Sequence, residues 1–72
     1  MQNNEKGEKF RRLAIKRTNI ILNKIRILSN CSNRSAYEYT EDEVEKIFSS
    51  IEKALKEGRS KFHFPKKKEF KF

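Results

Sequence analysis

A chain of 72 residues with formal net charge +8, 39% of it charged and 35% hydrophobic, is one small domain at most. Chains of this size rarely bury enough apolar surface to be stable without a staple or a partner. One cysteine, Cys31, and one histidine, His63, exclude an intramolecular disulfide and a Cys/His metal set.

The opening stretch MQNNEKGEKF is polar, so neither a signal peptide nor a membrane anchor is expected there. Residues 1–6 are expected to fray, and Gly7 is a weak breaker, so a first helix is predicted from near Glu8. Its centre is FRRLAIKRTNIILNKIRIL, residues 10–28, without Pro or Gly. At about 100° per residue, Phe10, Leu13, Ala14, Ile21, Ile25 and Leu28 share one face. Ile15 and Leu22 lie to one side of it, Ile20 and Ile27 to the other. The apolar arc spans roughly 240°, against about 100° for an ordinary surface helix. Such a helix needs more than one neighbour. Only Arg12, Lys16, Asn19, Asn23 and Arg26 form a clean polar strip. Arg17 and Lys24 intrude on the apolar face, where their stems can pack while their heads reach water or acids of a second helix.

The first helix is expected to stop at Ser29–Asn30, where SNCSNRS begins. Its residues hydrogen-bond their own backbone and tolerate left-handed conformations. Asn30-Cys31-Ser32 and Asn33-Arg34-Ser35 match the glycosylation acceptor pattern and are read as chance matches in an Asn/Ser-rich turn. Cys31 is expected to be a small, buried or half-buried residue, with nothing nearby to activate it.

A second helix is announced by Thr40-Glu41-Asp42-Glu43, a capping box, with Tyr39 and Val44 at the spacing of a hydrophobic staple. Val44, Ile47, Phe48, Ile51 and Leu55 make a single narrow stripe, and Phe62 falls on it too. The helix is therefore expected to run through Gly58 and end near Phe62. Pro65 then favours extended chain, and HFPKKKEFKF mixes Lys66, Lys67 and Lys68 with aromatics. Such a tail can grip phosphates and stack on bases, or press onto an anionic membrane surface.

The charge is segregated. Residues 1–34 carry nine Lys/Arg and two acids, residues 35–57 three Lys and seven acids, and residues 58–72 six Lys/Arg and one acid. The excess raises the case for nucleic acid or an acidic surface as partner and says nothing of fold.

The stretch RRLAIKRTNIILNKIRILSNCSNRSAYEYTEDEVEKIFSSIEKALKEGRSKF resembles small uncharacterised helical-hairpin proteins of Gram-positive bacteria and their mobile elements. These have a basic helix, an Asn-Arg-Ser-x-Tyr-x-Tyr-Thr turn and an acidic helix. The resemblance implies no activity. It draws notice to Asn33, Arg34, Ser35, Tyr37, Tyr39 and Thr40, of which Arg34 and Tyr37 are not required by turn and capping architecture.

The expected fold is all-α. An antiparallel two-helix hairpin occupies residues 1–62, with helices at about 8–29 and 41–62, and assembles into a helical bundle by oligomerisation or with a partner. Residues 63–72 form a flexible basic aromatic tail. No catalytic constellation, phosphate loop or metal pattern is present, so the chain reads as non-enzymatic, without cofactor or metal. A lone cysteine and the polar start point to the cytoplasm. Two functions fit. One is a protein-interaction or regulatory module acting through Ile15, Ile20, Leu22, Ile27, Arg34 and Tyr37, with itself or a larger host or phage protein as partner. The other is an accessory protein binding DNA or RNA with little sequence specificity through Arg12, Lys16, Asn19, Asn23, Arg26 and the tail lysines.

Overall fold

The computed structural model describes residues 4–64. Among them the chain is all-helical: α1 spans Glu5–Ser29, a short 3-10 turn covers Asn30–Ser32, and α2 spans Glu41–Ser60. The chain divides into two compact units, one ending at Glu38 and the other beginning at Tyr39. The expected tail, with Lys66, Lys67 and Lys68, lies outside the described residues.

In the first unit, α1 begins at Glu5, three residues before the expected start. Its first bond runs from the Glu8 N–H to the Asn4 carbonyl, 3.0 Å. Glu5 and Glu8 stand in the first turn, where carboxylates suit the positive end of the helix dipole. Gly7 is accommodated because its missing Cβ leaves room for Asn4: a Cβ there would come within 2.6 Å of Asn4 Oδ1. The helix then runs 25 residues to Ser29, whose hydroxyl donates back to the Ile25 carbonyl at 2.9 Å.

The end of α1 is built from hydrogen bonds rather than from left-handed residues, since no described residue has positive φ. The Asn30 N–H reaches the carbonyls of Arg26, Ile27 and Leu28, tightening the last turn. Asn33 (φ −68°, ψ 102°) leaves the helical region. Its side-chain Oδ1 accepts from the Ser35 N–H at 3.0 Å, and its carbonyl accepts from the N–H groups of Ala36 (3.1 Å) and Tyr37 (2.9 Å). This is an Asx turn closed by its own main chain. Cys31 is exposed in the 3-10 turn rather than buried, because the segment beyond Ser29 carries no apolar stripe to cover it.

In the second unit, Thr40 caps α2 with φ −102° and ψ 160°. The Thr40 Oγ1 accepts from the Glu43 N–H at 3.1 Å, and the Glu43 Oε1 accepts from the Thr40 N–H at 2.9 Å. Tyr39 and Val44, the residues flanking this box at staple spacing, are both half-buried. The helix passes through Gly58 and ends at Ser60. Shorter-range bonds then carry the winding onward, from the Lys61 N–H to the Gly58 carbonyl and from the Phe62 N–H to the Arg59 carbonyl.

Candidate functional site

Neither unit makes a hydrophobic core of its own: no described residue is fully buried. On α1, Leu13, Ala14, Ile25 and Leu28 are half-buried, and Phe10 and Ile21 of the same face are exposed. In an isolated helix, shielding of one residue by its neighbours within three or four positions goes only this far.

The two flanking pairs lie farther round the helix. Ile15 is 62% exposed and Leu22 48%, against 49% for Ile20 and 50% for Ile27. Exposure therefore does not choose between the edges. Each pair is seven residues apart, about 10.5 Å along the axis at 1.5 Å per residue. Each can present two anchors to a neighbouring helix at the spacing of a heptad.

Arg12, Lys16, Asn19, Asn23 and Arg26 are all exposed on α1, on the side away from its half-buried face. Arg12, Asn19 and Arg26 recur at seven-residue intervals and line the margin next to Ile15 and Leu22. α1 carries eight Lys/Arg and two acids, so this margin sits in a positive field.

Arg34 and Tyr37 follow in the turn, both exposed, Tyr37 at 54%. The Tyr37 N–H is held by Asn33, so its ring is carried on an ordered bend. Asn33, in the turn that the sequence singles out, organises this bend through its side-chain and main-chain oxygens.

On α2, Ile47, Phe48 and Leu55 are exposed, and Val44 and Ile51 half-buried. Glu45 and Glu52 stand seven apart on one margin of that stripe. A Cβ on Gly58 would meet nothing within 4 Å.

Among the described residues no group of three or more His, Cys, Asp or Glu is placed to hold a metal ion. None of their helices is long and apolar enough to cross a membrane. A shallow groove lined by Glu5, Glu8, Lys9 and Arg12 lies on the first turns of α1 and mixes both signs of charge. Compared with protein-family models, curated proteins and solved structures, the chain matches none.

Proposed function

We propose that the chain is a small non-enzymatic interaction module, in which α1 and α2 close into an antiparallel hairpin and the apolar surface left on α1 docks on another protein surface. The carrying observation is that every large apolar residue of α1 outside its central face stays about half exposed or more, in a chain with no buried residue among those described.

The hairpin has support in the spacing of both helices. Gly7, Arg11, Ala14, Thr18, Ile21 and Ile25 recur at alternating four- and three-residue steps. Val44, Phe48, Ile51, Leu55, Gly58 and Phe62 recur at the same steps. Setting Ile25 against Val44 aligns Ile21 with Phe48, Thr18 with Ile51, Ala14 with Leu55, Arg11 with Gly58 and Gly7 with Phe62. Small residues then oppose large ones in three of the layers, as antiparallel knobs-into-holes packing favours. The ends of the helices, Ser29 and Glu41, come level in the same register. This gives both glycines a use. A glycine inside a helix costs about 1 kcal/mol relative to Ala, and neither glycine takes positive φ.

That pairing covers roughly 100–140° of α1 and leaves Ile15 with Leu22 on one edge and Ile20 with Ile27 on the other. Arg34 and Tyr37 extend the surface past the helix end. Burial of one Leu or Ile is worth about 1.5–3 kcal/mol, enough for a few such residues to hold a partner. Light scattering behind a sizing column, at low and high salt, together with binding of an apolar fluorescent dye, tests the reading. Assembly that survives high salt, or a monomer that lights the dye, is the expected result. A monomer at every concentration that leaves the dye dark refutes it.

A second reading is favoured by the exposed strip of Arg12, Lys16, Asn19, Asn23 and Arg26: binding of DNA or RNA through phosphates, with Lys66, Lys67 and Lys68 adding contacts. Affinity would then fall with salt, with a log–log slope of about −0.9 per phosphate neutralised on duplex DNA.

A further inference from the structure

Resting on the docking reading above, we infer that the partner of the α1 surface is an acidic protein. Its docking face is an apolar groove rimmed by Asp and Glu side chains, which takes α1 lengthwise.

From Lys9 to Tyr37 the chain carries eight Lys/Arg and no acid. Seven of those bases stand exposed on α1. Side chains three and four positions apart are neighbours on a helix surface. Ile15 therefore adjoins Arg11, Arg12 and Asn19, and Leu22 adjoins Asn19 and Arg26. On the other edge Ile20 adjoins Lys16, Arg17, Asn23 and Lys24, and Ile27 adjoins Asn23 and Lys24. Every one of these exposed anchors has a base beside it, and none has an acid. The acids of α1, Glu5 and Glu8, are confined to its first turn, at neighbour spacing from Lys9, Arg11 and Arg12. Lys16, Arg17, Lys24 and Arg26 have no acid within four positions. The acids of α2 do not change the sign. Residues 5–60 carry thirteen Lys/Arg against nine acids, an excess of four positive charges wherever α2 lies.

Apolar anchors set among bases select the occupant. An interface that shuts water out over the anchors needs opposite charge facing its rim. Nucleic acid answers the bases with phosphates but leaves Ile15, Ile20, Leu22 and Ile27 in water. A flat anionic lipid surface covers one side of a helix, whereas the apolar arc of α1 spans roughly 240°. Arg17 and Lys24 lie within that arc, and their heads would have to climb back out of the lipid. The α1 of a second copy brings the same bases, and like charges set opposite one another select against a pairing. A protein groove encloses a helix from more than one side, takes anchors at the spacing of a heptad, and sets carboxylates singly between them.

Fluorescence anisotropy on the full chain tests this with labelled synthetic peptides. One has Leu at the core positions of each heptad and Glu at the others, a second has Lys for every Glu, and a third is poly-Glu of the same length. Vesicles of phosphatidylcholine with phosphatidylglycerol are tested beside them. The Leu–Glu peptide is expected to bind more tightly than either other peptide by more than about ten-fold. Ile15→Ser with Leu22→Ser, or Ile20→Ser with Ile27→Ser, is expected to weaken that binding several-fold at unchanged far-UV circular dichroism. Lys24→Gln with Arg26→Gln is expected to make it less dependent on salt. This exchange removes no apolar anchor, so unchanged salt dependence overturns the inference even where a Ser variant fails to fold. Equal binding of the Leu–Glu and Leu–Lys peptides overturns the acidic chemistry. Poly-Glu binding as tightly as Leu–Glu shows charge acting without the anchors and overturns the groove. Vesicles bound where the Leu–Glu peptide is not make the occupant a lipid surface, and an assembly of the chain that this peptide leaves intact makes it a second copy. Where no peptide binds, the inference falls. The docking reading stands if the apolar dye still binds, and falls with it if the chain is a monomer that leaves the dye dark.

Discussion

Thr40→Ala isolates one local cause of the fold. The Thr40 hydroxyl accepts from the Glu43 N–H at 3.1 Å and donates to Glu43 Oε1 at 3.0 Å, and the Thr40 N–H donates to the same Oε1 at 2.9 Å. Alanine deletes the first two and keeps the third, because the main-chain N–H survives. Loss of a threonine cap costs about 0.5–2 kcal/mol. Both residues are exposed, so water replaces part of what is lost, which puts the expected cost near 1 kcal/mol or below. A change of 1 kcal/mol is about five-fold in an equilibrium constant. Far-UV circular dichroism in urea should show the midpoint fall, and the Glu43 amide should exchange with solvent up to about five times faster. Thr40→Ser keeps the oxygen and should stay within a few tenths of a kcal/mol of wild type. Glu43→Gln keeps an acceptor but removes the charge at the positive end of α2, worth about 0.3–1 kcal/mol. Equal midpoints for wild type and Thr40→Ala, with unchanged exchange at Glu43, would refute the claim that this box sets the start of α2.

Gly7→Ala removes a glycine cost of up to about 1 kcal/mol and within its own unit meets only the movable end of the Asn4 side chain, so thermal circular dichroism should show a gain unless Phe62 packs on Gly7 as the hairpin register requires, in which case the gain is lost. Tyr39→Ala should lower the urea midpoint further than Thr40→Ala alone if the half-buried Tyr39 and Val44 staple the entry to α2. In a Cys31→Ser background, Ala14→Cys with Leu55→Cys should form an intramolecular disulfide on mild oxidation, and Ala14→Cys with Ser50→Cys should not; equal yields in non-reducing gels would count against the hairpin register. Replacing Arg12, Lys16 and Arg26 together should flatten the salt dependence of DNA or RNA retardation, and a wild type that retards neither at low salt has no phosphate-binding strip.

What was legible in the sequence is what neighbours within four residues decide. Thr40 to Glu43 encodes its cap completely, because both partners of the reciprocal bonds lie inside one turn. The stop at Ser29 follows from the Asn/Ser run, and the passage of α2 through Gly58 follows from the stripe that reaches Phe62. The start of α1 was misplaced by three residues because Gly7 was weighed as a breaker. Its cost is modest, and two first-turn carboxylates, Glu5 and Glu8, work against it. Cys31 was expected inside on the strength of its residue type, although the turn that carries it has no apolar companion to bury it. Ile15, Ile20, Leu22 and Ile27 lie where the wheel puts them along an uninterrupted helix and are about half exposed or more. Exposure does not choose between the two edges, because Ile15 with Leu22 and Ile20 with Ile27 are open to a similar degree.

The two functional readings compete for one set of side chains. Arg26 and Asn19 border the Ile15/Leu22 edge and also belong to the strip proposed for phosphates. If a protein partner docks on that edge, Arg26 is drawn into the interface and is less open to a phosphate. Nucleic acid and a protein partner on that edge should then compete for Arg26. Salt acts on them differently. Raising it from low to moderate strength weakens a phosphate contact steeply through counterion uptake. An apolar interface depends on buried area and loses only its flanking charge pairs, each worth about 0–1 kcal/mol when exposed. If the chain self-associates through that edge and also binds phosphate, DNA added at low salt should dissociate the assembly, and high salt should restore it. Sedimentation of the protein with and without a short duplex, at both salts, measures this directly. An assembly that binds DNA without dissociating would show that the strip and the edge are separate surfaces, and would remove Arg26 from one of them.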